Sequence, residues 1–107
     1  MSYDVSLELQ GPYDAEPVSV FWENYTSNCA PMWRAAGADL SEMNGWKGAQ
    51  VAEVVNEALE VMQANPEDFQ AMNPANGWGS YDGVVLLLLN IRQAAGRFPD
   101  AKMRVSW

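Results

Sequence analysis

Two stretches of the chain combine hydrogen-bonding groups with flat side chains in a way that suits ligand capture. One is "ENYTSN", residues 23–28, and the other is "NPANGWGSYD", residues 73–82. Each runs directly into a segment that reads as a helix. The first backbone N–H groups of a helix lack internal partners and carry the positive end of its dipole, so they suit phosphate or carboxylate. Asn24, Thr26, Ser27, Asn28, Asn76 and Ser80 add neutral polar groups, and Tyr25, Trp78 and Tyr81 offer rings on which a base can stack. If folding brings the two loops together, they form a small polar pocket with aromatic walls for an anionic or nucleotide-like molecule. The ordinary reading of the same residues is structural: Asn, Ser and Asp before helices are caps, Gly77 and Gly79 are turn glycines, and Trp78 is a lid on the core. Neither spacing matches a phosphate loop or a dinucleotide fingerprint.

Other chemistry is mostly excluded by composition. Histidine is absent, which removes the commonest general base and metal ligand together. With a single cysteine, Cys29, zinc and iron–sulfur sites are disfavoured and no intramolecular disulfide can form. Cys29 near a helix start could have a lowered thiol pKa, but it lacks a histidine base, and a buried inert thiol is the better reading. Glu23, Asp39, Glu42 and Asp82 could in principle act as acid and base or hold magnesium; solvated carboxylates are the default. Asn24-Tyr25-Thr26 fits a glycosylation acceptor, without a secretion pattern to support that use. No catalytic constellation is recognisable, so the chain reads as a binding protein and not an enzyme, with no metal and no cofactor.

The net charge is -8, from 14 acidic and 6 basic residues. Direct nucleic-acid binding is thereby disfavoured, and a basic protein partner is favoured. Asp4, Glu8, Asp14, Glu16 and Glu23 come early, and Glu53, Glu57 and Glu60 share a helix face. Such charge could imitate nucleic acid and block a basic cleft, although acidic residues at helical spacing are normally a wet face. Trp33, Met43 and Trp46 could form an exposed patch for a partner, or close a small core. The run "VVLLLL" is too short for a membrane span.

The elements that must position these groups follow from periodicity. In "YDVSLEL", Tyr3, Val5, Leu7 and Leu9 alternate with polar residues, as in a half-buried strand. "VSVFWEN" alternates again, with Val18, Val20 and Trp22 expected on one face, and the two strands should form an antiparallel hairpin. "SNCAPMWRAAG" reads as a short helix capped by Ser27 or Asn28 and ended by Gly37; "DLSE" has capping-box spacing for one extra turn. Val51, Val54, Val55, Ala58, Leu59 and Met62 mark the clearest amphipathic helix, stopped at Asn65-Pro66, with "PEDFQAM" one more turn. "GVVLLLLNIRQAAG" is apolar nearly all round, which places it at the centre of the core, with Gly96 ending it. "AKMRVSW" reads as a last strand with Met103, Val105 and Trp107 on one face. At 107 residues this is one α+β domain, residues 1–107: a three-stranded antiparallel sheet, made of the N-terminal hairpin and the C-terminal strand, with about three helices on one face. Two free sheet edges and five tryptophans would favour a homo-oligomer.

The layout of a strand pair, "NYTSN…PMWRAAG", an amphipathic helix, "NPANGWGSYD", an apolar helix and a short final strand resembles small accessory proteins encoded by phages and prophages. The likeness covers most of the chain and is most specific at "NYTSN" and "NGWGSY". It implies a product acting on host physiology or defence, in the bacterial cytoplasm, and brings no known reaction. The expected function is capture of a small anionic or nucleotide-like ligand, such as a host immune signal. Asn24, Thr26, Asn28, Asn76 and Ser80 would bond it, Tyr25, Trp78 and Tyr81 would stack on it, and the helix N-termini would hold its charge. The alternative is an acidic inhibitor of a host protein.

Overall fold

The computed structural model describes residues 1–13 and 15–107; Asp14, counted above among the acidic residues, lies outside them. Strands β1 (Ser2–Leu9) and β2 (Val18–Thr26) are followed by a 3-10 turn (Ser27–Cys29) and helix α1 (Ala30–Ala35). A second 3-10 turn (Leu40–Met43), α2 (Gly48–Ala64), α3 (Pro66–Gln70), α4 (Tyr81–Arg97) and β3 (Lys102–Ser106) complete the chain. The sheet is antiparallel in the order β2-β1-β3, and the fold is α+β. No helix is long and apolar enough to cross a membrane.

The period-2 pattern of β1 sends Tyr3, Val5 and Leu7 into the core, where Met103 and Val105 of β3 join them. Strand β2 departs from its pattern. Leu7 pairs with Phe21 but Glu8 pairs with Ser19, so a bulge interrupts the register at Val20. A one-residue slip moves every later side chain to the opposite face. Phe21, Glu23 and Tyr25 therefore lie on the face of Val5, and Trp22 stands opposite Ser6 on the outer face, 63% exposed. The expected grouping of Val18, Val20 and Trp22 on one face is thus wrong.

Helices α2 and α4 run antiparallel. Tyr81 Oη donates to the Met62 carbonyl at one end, Arg92 Nη1 donates to Asn56 Oδ1 in the middle, and Gly48 lies against the backbone of Ala95 and Phe98 at the other. Val51, Val55, Ala58, Leu59 and Met62 of α2 are buried, as the helical spacing requires, and Val54 is half-buried. Helix α4 is less central than its composition suggests: Leu86 is 59% exposed, and Val85 and Leu89 are half-buried. A domain this small has one layer of helices, so even an apolar helix keeps a wet side. Gly96 does not end α4, which runs through to Arg97 with Phe98 as its cap.

Among the described residues, one of the two sheet edges is covered. Along β3, Met103 N donates to Trp46 O (2.8 Å), Gly45 N to Met103 O (2.7 Å) and Val105 N to Asn44 Oδ1 (3.0 Å). The segment at 44–47 thus covers that edge, so that among the described residues β2 is the free one, where two free edges were expected. Trp33 and Met43 are buried and Trp46 is half-buried, so these residues close the core and form no exposed patch.

Two glycine replacements should diverge in sign. A Cβ at Gly48 would fall 2.8 Å from the Ala95 carbonyl oxygen and closer still to that of Phe98, both rigid backbone. Gly48→Ala should destabilise by roughly 1–3 kcal/mol in urea unfolding. Gly96 has open space around it inside a helix, so Gly96→Ala should stabilise by roughly 0.5–1 kcal/mol.

Candidate functional site

The segment "ENYT" is not a loop. It is the last turnless stretch of β2, and only residues 27–28 leave the strand. Thr26, instead of Ser27 or Asn28, caps the turn that follows: its Oγ1 accepts from Asn28 N at 3.3 Å. Ser27 is turned elsewhere and donates from both N and Oγ to the Met1 carbonyl, at 3.1 and 3.0 Å. Because Asn24 and Tyr25 are consecutive in a strand they face opposite ways, and the surface between them wraps the end of β2.

The second segment reaches this strand end through Tyr25. Its phenol accepts from Ser80 N (3.1 Å) and donates to Ser80 O (3.4 Å), a contact between residues 55 positions apart. Two glycines make the approach possible. A Cβ on Gly83 would collide with the Tyr25 phenol, and one on Gly79 would lie 2.5 Å from Cys29 Sγ and 2.7 Å from Thr26 Cγ2. Gly79 also has φ +95°, a conformation other residues rarely adopt. Asn76 Oδ1 accepts from Trp78 N at 3.0 Å, tightening the turn that carries the indole.

The result is a hollow of about 580 Å³ lined by Met1, Ser2, Asn24, Tyr25, Thr26, Asn28, Asn76 and Trp78. It lies in the size range of small-molecule pockets. Six of the eight residues singled out in the sequence border it; Ser80 and Tyr81 do not. Ser80 Oγ accepts from Gly83 N (3.1 Å) and is consumed as the cap of α4. Tyr81 is buried as the first residue of α4, its hydroxyl bound to the Met62 carbonyl, so it cannot stack on a ligand. Met1 and Ser2 are lining residues that the sequence did not signal, because strand pairing alone brings Ser2 beside Thr26.

The helix N-termini expected to hold negative charge are in large part capped. Tyr81 N is bound to Asn73 Oδ1 (2.7 Å) and Gly83 N to Ser80, so the start of α4 is already capped. Helix α1 is a single short stretch of six residues behind a capped 3-10 turn. No lysine or arginine lines the hollow, and Asn24 Nδ2 donates to the Asp4 carboxylate (2.8 Å) as well as to Ser2 Oγ (3.0 Å). The side-chain groups left for a ligand are neutral. Among the described residues, the Asn28 side-chain amide, Asn76 Nδ2 and Asn24 Oδ1 have no bonding partner, and the Trp78 indole is 70% exposed.

Cys29 is buried against this wall, and burial raises its thiol pKa above the ordinary 9.0, with a hydrogen bond to Tyr25 opposing in part. The sign is opposite to that of an activated nucleophile. Glu23 accepts from Asn90 Nδ2 (3.0 Å), and Asp39 caps the second 3-10 turn and pairs with Arg34 (3.7 Å). Among the described residues no three His, Cys, Asp or Glu side chains gather to hold a metal. No family model, no curated protein and no solved structure matches this chain.

The Tyr25 clasp makes a double-mutant test. Tyr25→Phe leaves Ser80 N–H without its partner and should destabilise by roughly 1–3 kcal/mol. Gly83→Ala should destabilise the wild type, despite alanine's better helix propensity, and should cost clearly less in the Tyr25→Phe background, where the colliding oxygen is gone. Additive effects in chemical unfolding would show that the clasp does not form.

Proposed function

We propose that the chain is a phage-type accessory protein that captures a small nucleotide-like molecule in the hollow at the end of β2, acting in the host cytoplasm to sequester a signal of host defence. One observation carries the reading: Asn24, Tyr25, Thr26 and Asn28 meet Asn76 and Trp78 around one cavity, and the Asn28 amide, Asn76 Nδ2 and Asn24 Oδ1 have no partner among the described residues. Three carboxamides offer both donors and acceptors, which is the chemistry of a nucleobase edge. The exposed Trp78 ring offers a stacking face. The neutral lining fits the base part of such a molecule.

The measurement is indole and amide NMR, backed by calorimetry, with a panel of nucleosides, mononucleotides and cyclic nucleotides. At least one planar ligand should shift the Trp78 indole signal. Trp78→Ala should weaken that ligand by roughly 1–3 kcal/mol, about 5- to 150-fold, and Asn28→Ala by less, without loss of fold. A panel that leaves the Trp78 resonance unmoved at millimolar concentration overturns the reading.

A second reading is an acidic inhibitor of a basic host protein. It is favoured by Glu53, Glu57, Glu60, Glu67 and Asp68, all exposed along α2 and α3, while the ion pairs among the described residues are Arg34–Asp39 and Arg104–Glu8. Under this reading a basic partner is retained on the immobilised protein at low salt, lost as salt rises, and lost on Glu53, Glu57 and Glu60 replacement by Gln. Binding indifferent to salt would sink it.

A further inference from the structure

A second hollow of about 340 Å³ opens at the same end of the molecule, lined by Met1, Tyr3, Ser27, Ala30, Pro31, Arg34 and Trp107. The two hollows share Met1 and are parted by one seam, where Ser27 binds the Met1 carbonyl while Thr26 and Asn28 face the first hollow. Beneath the seam the buried Trp33 ring touches one aromatic residue of each: Tyr3 at 4.9 Å and 80°, Tyr25 at 6.4 Å and 61°.

The second hollow supplies what the first lacks. Arg34 is the single cationic side chain lining either. Its Nη2 donates to Tyr3 Oη (3.1 Å), which orients the guanidinium, and the remaining N–H groups of a five-donor fork stay available. Asp39 sits 3.7 Å from Nε, but its Oδ1 is already bound to Ser41 N (3.2 Å) and Ser41 Oγ (2.8 Å), and a half-exposed pair of this kind holds its partner weakly. Beside the guanidinium, the Trp107 ring stacks over Tyr3 at 6.3 Å and 20° and leaves its other side 61% exposed as a whole. An oxyanion at Arg34 would therefore lie against a flat apolar wall.

Resting on the reading of the first hollow as a base site, we propose that the two hollows form one bipartite site for a nucleoside monophosphate-like ligand, with the planar base at Trp78 and the asparagines and the phosphate across the Met1 seam on Arg34. Neither hollow holds both parts: the first has no cationic side chain and its Asn24 is bound to the Asp4 carboxylate, and the second has none of the carboxamides. The sugar is the linker that crosses the seam, and Ser27 and Met1 are its neighbours.

The test compares each nucleoside with its 5′-monophosphate on the intact chain, and follows the Trp78 and Trp107 indole signals assigned by Trp→Phe variants. The monophosphate should bind about tenfold tighter than the nucleoside, as a charge-assisted hydrogen-bonded contact implies, and it alone should move Trp107. Arg34→Gln should erase that advantage and leave nucleoside affinity unchanged, and Arg34→Lys should restore part of it. A nucleoside that shifts Trp78 while its monophosphate binds no better, or binds equally well to Arg34→Gln, overturns the bipartite site and leaves the base site standing. Arg34→Gln weakening nucleoside and monophosphate equally also overturns it. No response at Trp78 to either probe removes both.

Discussion

The phenol of Tyr25 joins the end of β2 to the segment that leads into α4. It bonds the backbone of Ser80 on both its donor and acceptor sides, in a space that exists because residues 79 and 83 carry no Cβ. A neutral hydrogen bond of this kind is worth only about 0.5–1.5 kcal/mol, but an unpaired buried N–H costs more, so the geometry is strongly specified. Thr26, Cys29 and Trp33 all pack within reach of this contact. The turn bearing Asn76 and Trp78 owes its place beside β2 to it.

That constraint decides the chemistry of the hollow by deciding which polar groups are spent. Ser80, Asn73 and Thr26 are consumed as caps, so Tyr81 N, Gly83 N and Asn28 N are already paired. Asn28, Asn76 and Asn24 keep free amide atoms facing the cavity. The cationic side chain of this region lies across the Met1 seam, at Arg34, where Tyr3 orients the guanidinium. The asparagine-lined hollow and the arginine-lined one thus share only Met1, on a chain whose overall charge is -8.

The reading of elements from periodicity succeeds where each element has one buried face. The alternation of Tyr3, Val5 and Leu7 and the helical spacing of Val51, Val55, Ala58, Leu59 and Met62 are both reproduced. It fails where a non-local feature intervenes. The bulge at Val20 puts Trp22 on the outer face, and nothing within residues 18–26 marks it. The apolar run of α4 is uniform and does not say which side stays wet; the packing of α2 leaves Leu86 outside. Tyr81 resembled a loop aromatic because its neighbours are turn formers, but the carbonyl of Met62 claims its hydroxyl.

By itself the sequence determined the inventory: an α+β order of elements, no histidine, one thiol, and two polar-aromatic segments, because composition and hydrophobic period are local properties of the chain. The tertiary structure alone decided which of those polar groups remain unpaired, and that the segments at 24–28 and 76–78 border one cavity. The reason is that hydrogen-bond satisfaction is a pairing problem. Whether a given amide is free depends on partners tens of residues away, and only the folded register of β2 against β1 and the Tyr25–Ser80 contact bring those partners within range.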